Sequence, residues 1–215
     1  MARTALIAGS TGLVGQSLLE LLLESPAYTR VKALGRRSPA QAHPKLEFLE
    51  SDFEDLAALG ERLAADDVYC CLGTTTAKAG GRAGLERVDY HMVVDLARAA
   101  RAAGARQFLV VSAVGASLRS PAFYSRVKAR MERAVAEAGY QTVHILQPSL
   151  LLGPRRERRP AEDLAQRAAP LLNLLLHGPL YKYRAVRGQE VAAALLALAQ
   201  QPASGVHVHQ LPFSA

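Results

Sequence analysis

The sequence predicts an α/β fold in which helices cover both faces of a doubly wound parallel sheet. Short β-branched or apolar runs alternate with longer amphipathic patterns, which is typical of successive β-α-β units. Glycines end two of the helical patterns, at Gly104 and Gly139. The 215 residues contain no internal repeat and no interdomain linker, so we expect a single domain over residues 1–215.

The predicted elements alternate through the first 150 residues. The predicted strands are Thr4–Ala8, Val31–Leu34, Leu46–Leu49, Val68–Leu72, Phe108–Ser112 and Thr142–Leu146. The predicted helices are Leu13–Glu24, Asp55–Ala65, Leu85–Ala103 and Phe123–Ala138. This order places a helix between most consecutive strands, as a parallel sheet requires.

The pattern changes after Gly153-Pro154. An arginine-rich loop precedes predicted helices at Leu164–Leu176 and Gln189–Gln200 and a terminal strand at Val206–His209. We expect residues 155–215 to form a small C-terminal cap on the same domain.

Composition limits the function classes. Half of the residues are hydrophobic and 21% are charged, as in ordinary soluble proteins. The apolar run Val191–Ala199 is too short to cross a bilayer, and no signal peptide is recognisable at the N-terminus. We therefore expect a cytoplasmic protein with no membrane partner. The adjacent Cys70 and Cys71 form no disulfide framework, and we expect them at the end of a buried strand.

The net charge of +7 raises the question of an anionic partner. The excess is mainly arginine and is partly spread over predicted surface helices, while aromatic residues make up 6% and tryptophan is absent. Binding to single-stranded nucleic acid uses basic residues interleaved with aromatic ones, so a nucleic-acid partner is the least supported interpretation. A phosphate-bearing ligand explains part of the charge.

A glycine-rich turn joins the first strand to the first helix. The spacing of Gly9, Gly12 and Gly15 suits a tight turn, a close approach to a pyrophosphate and close packing of helix on strand. The free amides and the dipole of the helix N-terminus favour phosphate. The segment therefore predicts a Rossmann-type dinucleotide site at Gly9, Ser10, Thr11, Gly12, Leu13, Val14 and Gly15.

The end of the second strand selects the dinucleotide. NAD sites place an acid there, whereas NADP sites place arginine near the 2′-phosphate. Here the strand ends in Gly35-Arg36-Arg37 with no acid, which predicts NADP(H) as the cofactor. The alternative is that Arg36 and Arg37 are solvated loop charges.

Two further loops follow strands on the same predicted edge. Asp52-Phe53 follows the third strand, where a side chain can meet the adenine, and Leu72-Gly73-Thr74 follows the fourth, near the middle of the cofactor. Capping of a helix N-terminus is an equally good interpretation of Asp52.

The candidate catalytic residues are Tyr124, Lys128 and Ser112. A tyrosine and a lysine four residues apart share one helix face, so the ammonium is expected to lower the pKa of the phenol towards neutral pH. Such a tyrosine can exchange a proton with a substrate oxygen while a hydride moves to or from nicotinamide. Ser112, at the end of the fifth strand, is placed to bind that oxygen. A structural tyrosine beside a surface lysine is the alternative.

Together these segments resemble the short-chain dehydrogenase/reductase superfamily, and within it the atypical Tat-interacting-protein-like branch. The resemblance covers about Thr4 to Pro160 and is most specific in Cys70-Cys71-Leu72-Gly73-Thr74-Thr75, followed by Arg87-Val88-Asp89. The glycine turn, Gly35-Arg36-Arg37, Tyr124 with Lys128, and Gln147-Pro148-Ser149-Leu150-Leu151 complete it.

The resemblance implies that NADP(H) is held by the glycine turn, Arg36, Arg37, Leu72 and Gly73. It also implies that Tyr124 exchanges the proton, that Lys128 bridges Tyr124 and the nicotinamide ribose, and that Leu151 approaches the nicotinamide. The sequence departs from the branch where Ala113 follows Ser112 and where Gln147 stands in place of arginine. Asp89 is the position nearest to the relay asparagine of many superfamily members.

Other charged and ligand-type residues have ordinary alternatives. Arg159, in the Arg155–Arg159 loop, is a further cofactor candidate by resemblance, and a solvated charge run explains that loop equally well. His144 fits a strand interior. His207 and His209 share a strand face but lack an identifiable third ligand, so no metal is expected.

We therefore expect an NADP(H)-dependent oxidoreductase acting on a small carbonyl or alcohol substrate. The alternative is a non-catalytic NADP(H) sensor that acts through a protein partner, because relatives in this branch are linked to regulation.

Overall fold

Seven parallel strands form the central sheet, as the computed structural model of the chain shows for residues 3–153 and 183–212. The first six strands are β1 (Arg3–Ala8), β2 (Tyr28–Gly35), β3 (Leu46–Glu50), β4 (Asp67–Cys70), β5 (Gln107–Val111) and β6 (Thr142–Pro148). A separate parallel pair follows, β7 (Leu151–Leu152) and β8 (Val186–Arg187), and β9 (Gly205–Leu211) completes the sheet. The strand order is β3-β2-β1-β4-β5-β6-β9, which confirms the predicted doubly wound Rossmann fold.

The helices of the described residues are α1 (Leu13–Glu24), α2 (Arg82–Glu86), α3 (Met92–Ala102), α4 (Phe123–Ala136) and α5 (Gly188–Ala199). They cover the sheet on both faces. Apolar side chains of α1 and α5 pack with Ile7 on one face, whereas those of α3 and α4 pack with Leu6 on the other. Neighbouring residues of a strand point to opposite faces, so β1 is apolar throughout because both its faces are buried.

The strand order reverses between β1 and β4. The chain winds outward from β1 to β2 and β3, then returns to place β4 on the other side of β1. In open α/β sheets, ligands bind beyond the carboxyl ends of the strands at such a reversal, so we expect a ligand beside the loops that follow β1 and β4.

Two predicted helices differ from the structure. The segment predicted as helix Asp55–Ala65 is a 3₁₀ segment, Ala57–Leu63, because Gly60 adopts a positive φ of 46° that breaks the helical geometry. The helix predicted from Leu85 begins earlier, at Arg82, and contains a π-helical turn, Arg87–His91, between α2 and α3.

Residues 188–211 belong to the main layers of the fold rather than to a cap. Helix α5 packs in the same apolar cluster as α1, and β9 pairs with β6 over its full length, from Gly205 opposite Thr142 to Leu211 opposite Pro148. The predicted terminal strand is therefore the seventh strand of the sheet. The predicted helix Leu164–Leu176 lies outside the described residues. Within those that are described, no helix has the length and apolar character needed to cross a bilayer.

Candidate functional site

The glycine turn after β1 is shaped by close backbone contacts. Gly9 has a φ of +84°, and a Cβ there would lie 2.6 Å from the carbonyl oxygen of Cys71. A Cβ on Gly15 would overlap the carbonyl oxygen of Gly9. The fold itself therefore requires both glycines, the first to pass beside the end of β4 and the second to bring α1 onto the turn.

Gly12 differs from these two glycines. It is the N-cap of α1 with a φ of −84°, and a Cβ there would meet only the Gly9 carbonyl oxygen, at 3.4 Å. No side chain caps the amides of the first turn of α1. The fold does not require glycine at this position, so the open space before Gly12 and the uncapped amides fit a ligand phosphate that approaches the helix N-terminus.

The other residues of the turn have separate surroundings. Ser10 and Val14 are buried, and Thr11 is exposed. Leu13 packs towards the C-terminal part of the chain, because Cβ atoms on Gly153 and Gly188 would lie 2.6 and 2.8 Å from its side chain. Leu151, in β7, is half-buried beside the cluster formed by α1 and α5.

Arg36 and Arg37 lie at the carboxyl end of β2 and are both exposed. In residues 3–153 and 183–212 neither guanidinium forms an ion pair or a hydrogen bond. Gly35 before them leaves open space, since no atom lies within 4 Å of a Cβ at that position. Two unengaged guanidiniums therefore stand on the same sheet edge as the glycine turn.

Asp52 and Phe53 contribute mainly backbone geometry. Asp52 is exposed, and its Oδ1 accepts a hydrogen bond from the Glu54 amide at 3.0 Å, which closes a local turn. Phe53 has a φ of +69°, and its ring is buried with Leu34 and Leu49. The Phe53 ring therefore belongs to the core, whereas the Asp52 side chain is exposed.

The loop after β4 meets a buried ion pair. Asp89 Oδ1 lies 2.9 Å from Lys128 Nζ, and Asp89 Oδ2 accepts a hydrogen bond from the Thr74 amide at 2.9 Å. A Cβ on Gly73 would lie 3.5 Å from the Asp89 carboxylate. Leu72 at the start of the loop is half-buried. The structure thus joins the predicted cofactor loop and the predicted catalytic lysine through one carboxylate.

Tyr124 and Lys128 share a face of α4, as their spacing predicts. Lys128 Nζ lies 6.0 Å from the Tyr124 ring centroid and donates to the Val111 carbonyl oxygen at 3.2 Å. Burial lowers the pKa of Lys128, but Tyr124 and Asp89 together raise it above its ordinary value, so the lysine stays charged.

The expected acidification of Tyr124 is wrong for this arrangement. Burial raises the pKa of Tyr124, Lys128 lowers it, and Asp89 raises it again, with a net rise above the ordinary value of tyrosine. The sequence argument considered only the lysine, whereas the fold also places a carboxylate beside that lysine, and the Tyr124 ring remains partly exposed, at 38%.

Ser112 is committed to a different carboxylate. It is buried just after β5, and its hydroxyl donates to Glu132 Oε1, which also accepts from Gln147 Nε2 at 2.9 Å. A serine that orients a substrate carbonyl must donate its proton, and here that proton is already used. Glu132 was not singled out from the sequence, although it follows Tyr124 and Lys128 by one more turn on the same face of α4.

Three histidines of β6 and β9 form a separate cluster. His144 Nδ1 lies 3.0 Å from His209 Nε2, and the His144 and His207 rings stack at 5.3 Å between centroids. His144, which the sequence analysis placed in a strand interior, therefore lies beside the two histidines of β9. No group of three ligand-type side chains in the described part of the chain is arranged to hold a metal. Arg159 and the rest of the Arg155–Arg159 loop lie outside the described residues.

Comparisons with known proteins identify the family of the chain. A family model described as NAD(P)H-binding matches residues 9–152, from the glycine turn to β7. The mitochondrial protein fmp52 of Aspergillus fumigatus is 39% identical over 169 residues, which span 75% of this chain and 72% of that protein. FMP52-1 of Scheffersomyces stipitis, also named mitochondrial, is 33% identical over 203 residues, which span 92% of this chain and 88% of that protein.

Solved structures share the fold. The Bordetella bronchiseptica enzyme WbmH in complex with NAD+ superposes with a TM-score of 0.71 at 16% identity, covering 99% of this chain and 77% of that chain. A UDP-N-acetylglucosamine 4-epimerase from Methanobrevibacter ruminantium superposes with a TM-score of 0.72 at 15% identity, covering 100% and 78%. At this identity the likeness shows the fold alone.

The relatives also correct one expectation and confirm another. The cytoplasmic location expected from the sequence is wrong, because the curated relatives are named mitochondrial proteins. The resemblance to short-chain dehydrogenase/reductases is confirmed by the family match, the relatives and the fold. The chain belongs to the NAD(P)H-binding family with the short-chain dehydrogenase/reductase fold, and the fmp52 proteins are its relatives.

Proposed function

We propose that the protein is an NADP(H)-dependent oxidoreductase that acts on a small carbonyl or alcohol substrate beside Tyr124. The observation that carries the proposal is the single sheet edge on which an open glycine turn, two unengaged guanidiniums and a Tyr124–Lys128 pair stand together. Each group would bind a different part of a phosphorylated dinucleotide or take part in its reaction.

The residues present fit NADP(H). The turn at Gly12 and the uncapped amides of α1 would hold the diphosphate. Arg36 and Arg37 would hold the 2′-phosphate through charge-assisted hydrogen bonds, and no acid ends β2 to repel it. The backbone of Leu72, Gly73 and Thr74 would line the middle of the cofactor.

When bound, the cofactor supplies or accepts a hydride. The protein would manage the proton: the Tyr124 hydroxyl donates it to the oxygen of a carbonyl substrate or accepts it from an alcohol. Lys128 is held charged beside Tyr124 and stabilises negative charge that develops on the phenol oxygen.

Calorimetry with NADPH and NADH tests the cofactor. We expect NADPH to bind at least about tenfold more tightly than NADH, and Arg36→Gln/Arg37→Gln to remove most of that preference. The matched control is Arg98→Gln, an exposed arginine on α3, which should leave both affinities unchanged. Tighter binding of NADH by the wild-type protein would overturn the assignment of NADP(H).

A non-catalytic NADP(H) sensor is the second candidate. It is favoured by the commitment of the Ser112 hydroxyl to Glu132, which leaves no serine proton for a substrate oxygen. Consumption of NADPH against a panel of aldehydes and ketones separates the two candidates. Turnover by the wild-type protein that Tyr124→Phe abolishes supports the enzyme, whereas tight NADPH binding with no turnover in either protein supports the sensor.

A further inference from the structure

Asp89 lies at the centre of the candidate site and is completely buried. One carboxylate oxygen pairs with Lys128 Nζ at 2.9 Å, and the other accepts the Thr74 amide at 2.9 Å. The Lys128 side chain is only 3% exposed, so the ion pair is screened little by solvent. The carboxylate therefore contacts two elements that are remote in sequence, α4 and the loop after β4.

The local backbone brings Asp89 to this position. Asp89 lies in the π-helical turn Arg87–His91, which separates α2 from α3. Such wider turns inside helices are frequent at functional sites, because the extra residue shifts the side chains that follow it. The π-helical turn thus places the charged Asp89 side chain on the buried side of this helical segment.

The Asp89–Lys128 ion pair affects the protonation of Tyr124. A lone ammonium beside a phenol favours the tyrosinate, but Asp89 places a negative charge against the same ammonium. Partial burial raises the pKa of Tyr124 most, Lys128 lowers it, and Asp89 opposes the effect of the lysine. The phenol consequently keeps its proton at neutral pH.

We propose that Asp89 is a positioning residue that holds Lys128 against the Leu72–Thr74 loop and keeps Tyr124 protonated, so that the site is built for carbonyl reduction rather than alcohol oxidation. This inference rests on the proposed function. Reduction of a carbonyl takes up one hydride, which NADPH supplies to the carbon, and one proton, which Tyr124 Oη gives to the oxygen and recovers from solvent. Alcohol oxidation requires a Tyr124 oxygen that has already lost its proton.

The ionisation of Tyr124 can be measured without cofactor or substrate. Protein labelled with [ζ-13C]tyrosine is titrated by NMR, and the Tyr124 signal is assigned as the one missing in Tyr124→Phe. In the wild-type protein we expect a Tyr124 midpoint above about pH 9, and in Asp89→Asn a midpoint lower by at least about one pH unit. Asp89→Glu should restore most of the difference.

Asp95→Asn is the matched control, since it makes the same chemical change at an exposed position of α3. It should leave the Tyr124 midpoint within about 0.3 unit of the wild-type value, because an exposed charge is screened by solvent. A Tyr124 midpoint that is the same in Asp89→Asn and the wild-type protein would overturn the proposal. So would a wild-type midpoint below pH 8.

A second comparison applies where Asp89→Asn does not fold. Lys128→Met is compared with Asp89→Asn/Lys128→Met, in which both charges are absent and no ion is left buried alone. The double variant should show the lower Tyr124 midpoint, and equal midpoints would overturn the role of Asp89. If the midpoints shift as expected while no carbonyl is reduced, Asp89 keeps its positioning role and only the proposed activity fails.

Discussion

The carbonyl oxygen of Gly9 occupies the space that a side chain on Gly15 would need. This contact holds the end of β1 close against the first turn of α1. Gly12, between them in sequence, has no such contact closer than 3.4 Å. The same motif therefore contains two glycines that the fold needs and one, Gly12, whose lack of a side chain suits the proposed phosphate site.

Substitution by alanine separates these roles. Gly12→Ala should change the free energy of unfolding by no more than about 1 kcal/mol, since its φ of −84° suits alanine, and should weaken NADPH binding at least about tenfold. Gly15→Ala should destabilise the protein by about 1–3 kcal/mol or more through overlap with Gly9. Denaturant unfolding and calorimetry measure the two effects. Equal losses of stability in both variants would contradict this division.

Removing one partner of the buried Asp89–Lys128 pair should destabilise the protein much more than removing both. Lys128→Met leaves the Asp89 carboxylate buried without its counter-charge, although it keeps the Thr74 amide, and this should cost about 3–5 kcal/mol in the free energy of unfolding. Asp89→Asn/Lys128→Met should recover most of this loss, because no charge is then stranded. The matched control is Arg133→Met, which breaks an exposed ion pair with Glu137 and should leave the free energy of unfolding nearly unchanged. A double variant as unstable as Lys128→Met would contradict the argument.

The histidine cluster should make the protein sensitive to mild acid. Burial lowers the pKa of His144 to about 4, with further lowering by His209 and His207, so the folded state binds fewer protons than the unfolded state. The stability that depends on neutral His144 is complete above the unfolded pKa of about 6.5 and is lost as the pH falls from there towards 4. We expect a loss of roughly 2 kcal/mol over this range, after allowing for partial screening by solvent.

His144→Phe tests this source of acid sensitivity. The variant keeps an aromatic ring at the site but no group that binds a proton, so its free energy of unfolding should change less between pH 7 and pH 4.5 than that of the wild-type protein. His43→Gln, at an exposed loop position, should retain the wild-type slope. Parallel pH slopes for His144→Phe and the wild-type protein would contradict the prediction.

Ser112→Ala should affect stability more than cofactor binding. The variant removes a hydrogen bond to Glu132, which keeps its two contacts from Gln147, so we expect a loss of about 1 kcal/mol. The affinity for NADPH should stay the same, because the hydroxyl donates to Glu132. Chemical denaturation and calorimetry measure both quantities. A loss of NADPH affinity larger than about threefold would show that Ser112 also reaches the cofactor.

Local patterns predicted most of the strands and the main helices. Strand β1 and helix α1 follow from an apolar run, a glycine turn and an apolar stripe that all lie within 24 residues. The segment around Gly60 was misjudged because its apolar spacing fits a helix, whereas the glycine takes a conformation that the spacing does not reveal. The π-helical turn at Arg87–His91 likewise has no sequence period of its own.

In the candidate site too, the sequence predicted the local features but not the contacts between separate elements. The spacing of four residues placed Tyr124 and Lys128 on one face of α4 because helix geometry is local. The partner of Lys128 lies 39 positions away in sequence, on another helical segment, and the partner of Ser112 lies on α4. Contacts between separate elements depend on how the layers pack, and no local pattern encodes them.

By itself, then, the sequence determined the alternation of strands and helices, the dinucleotide turn and the pairing of a tyrosine with a lysine, since each depends on residues close together along the chain. Only the tertiary structure decided that the last helix and strand join the main layers, that Glu132 takes the Ser112 proton and that Asp89 offsets the charge of Lys128. The physical reason is burial: packing removes solvent from these groups and brings distant charges within a few ångströms, where they set each other's protonation.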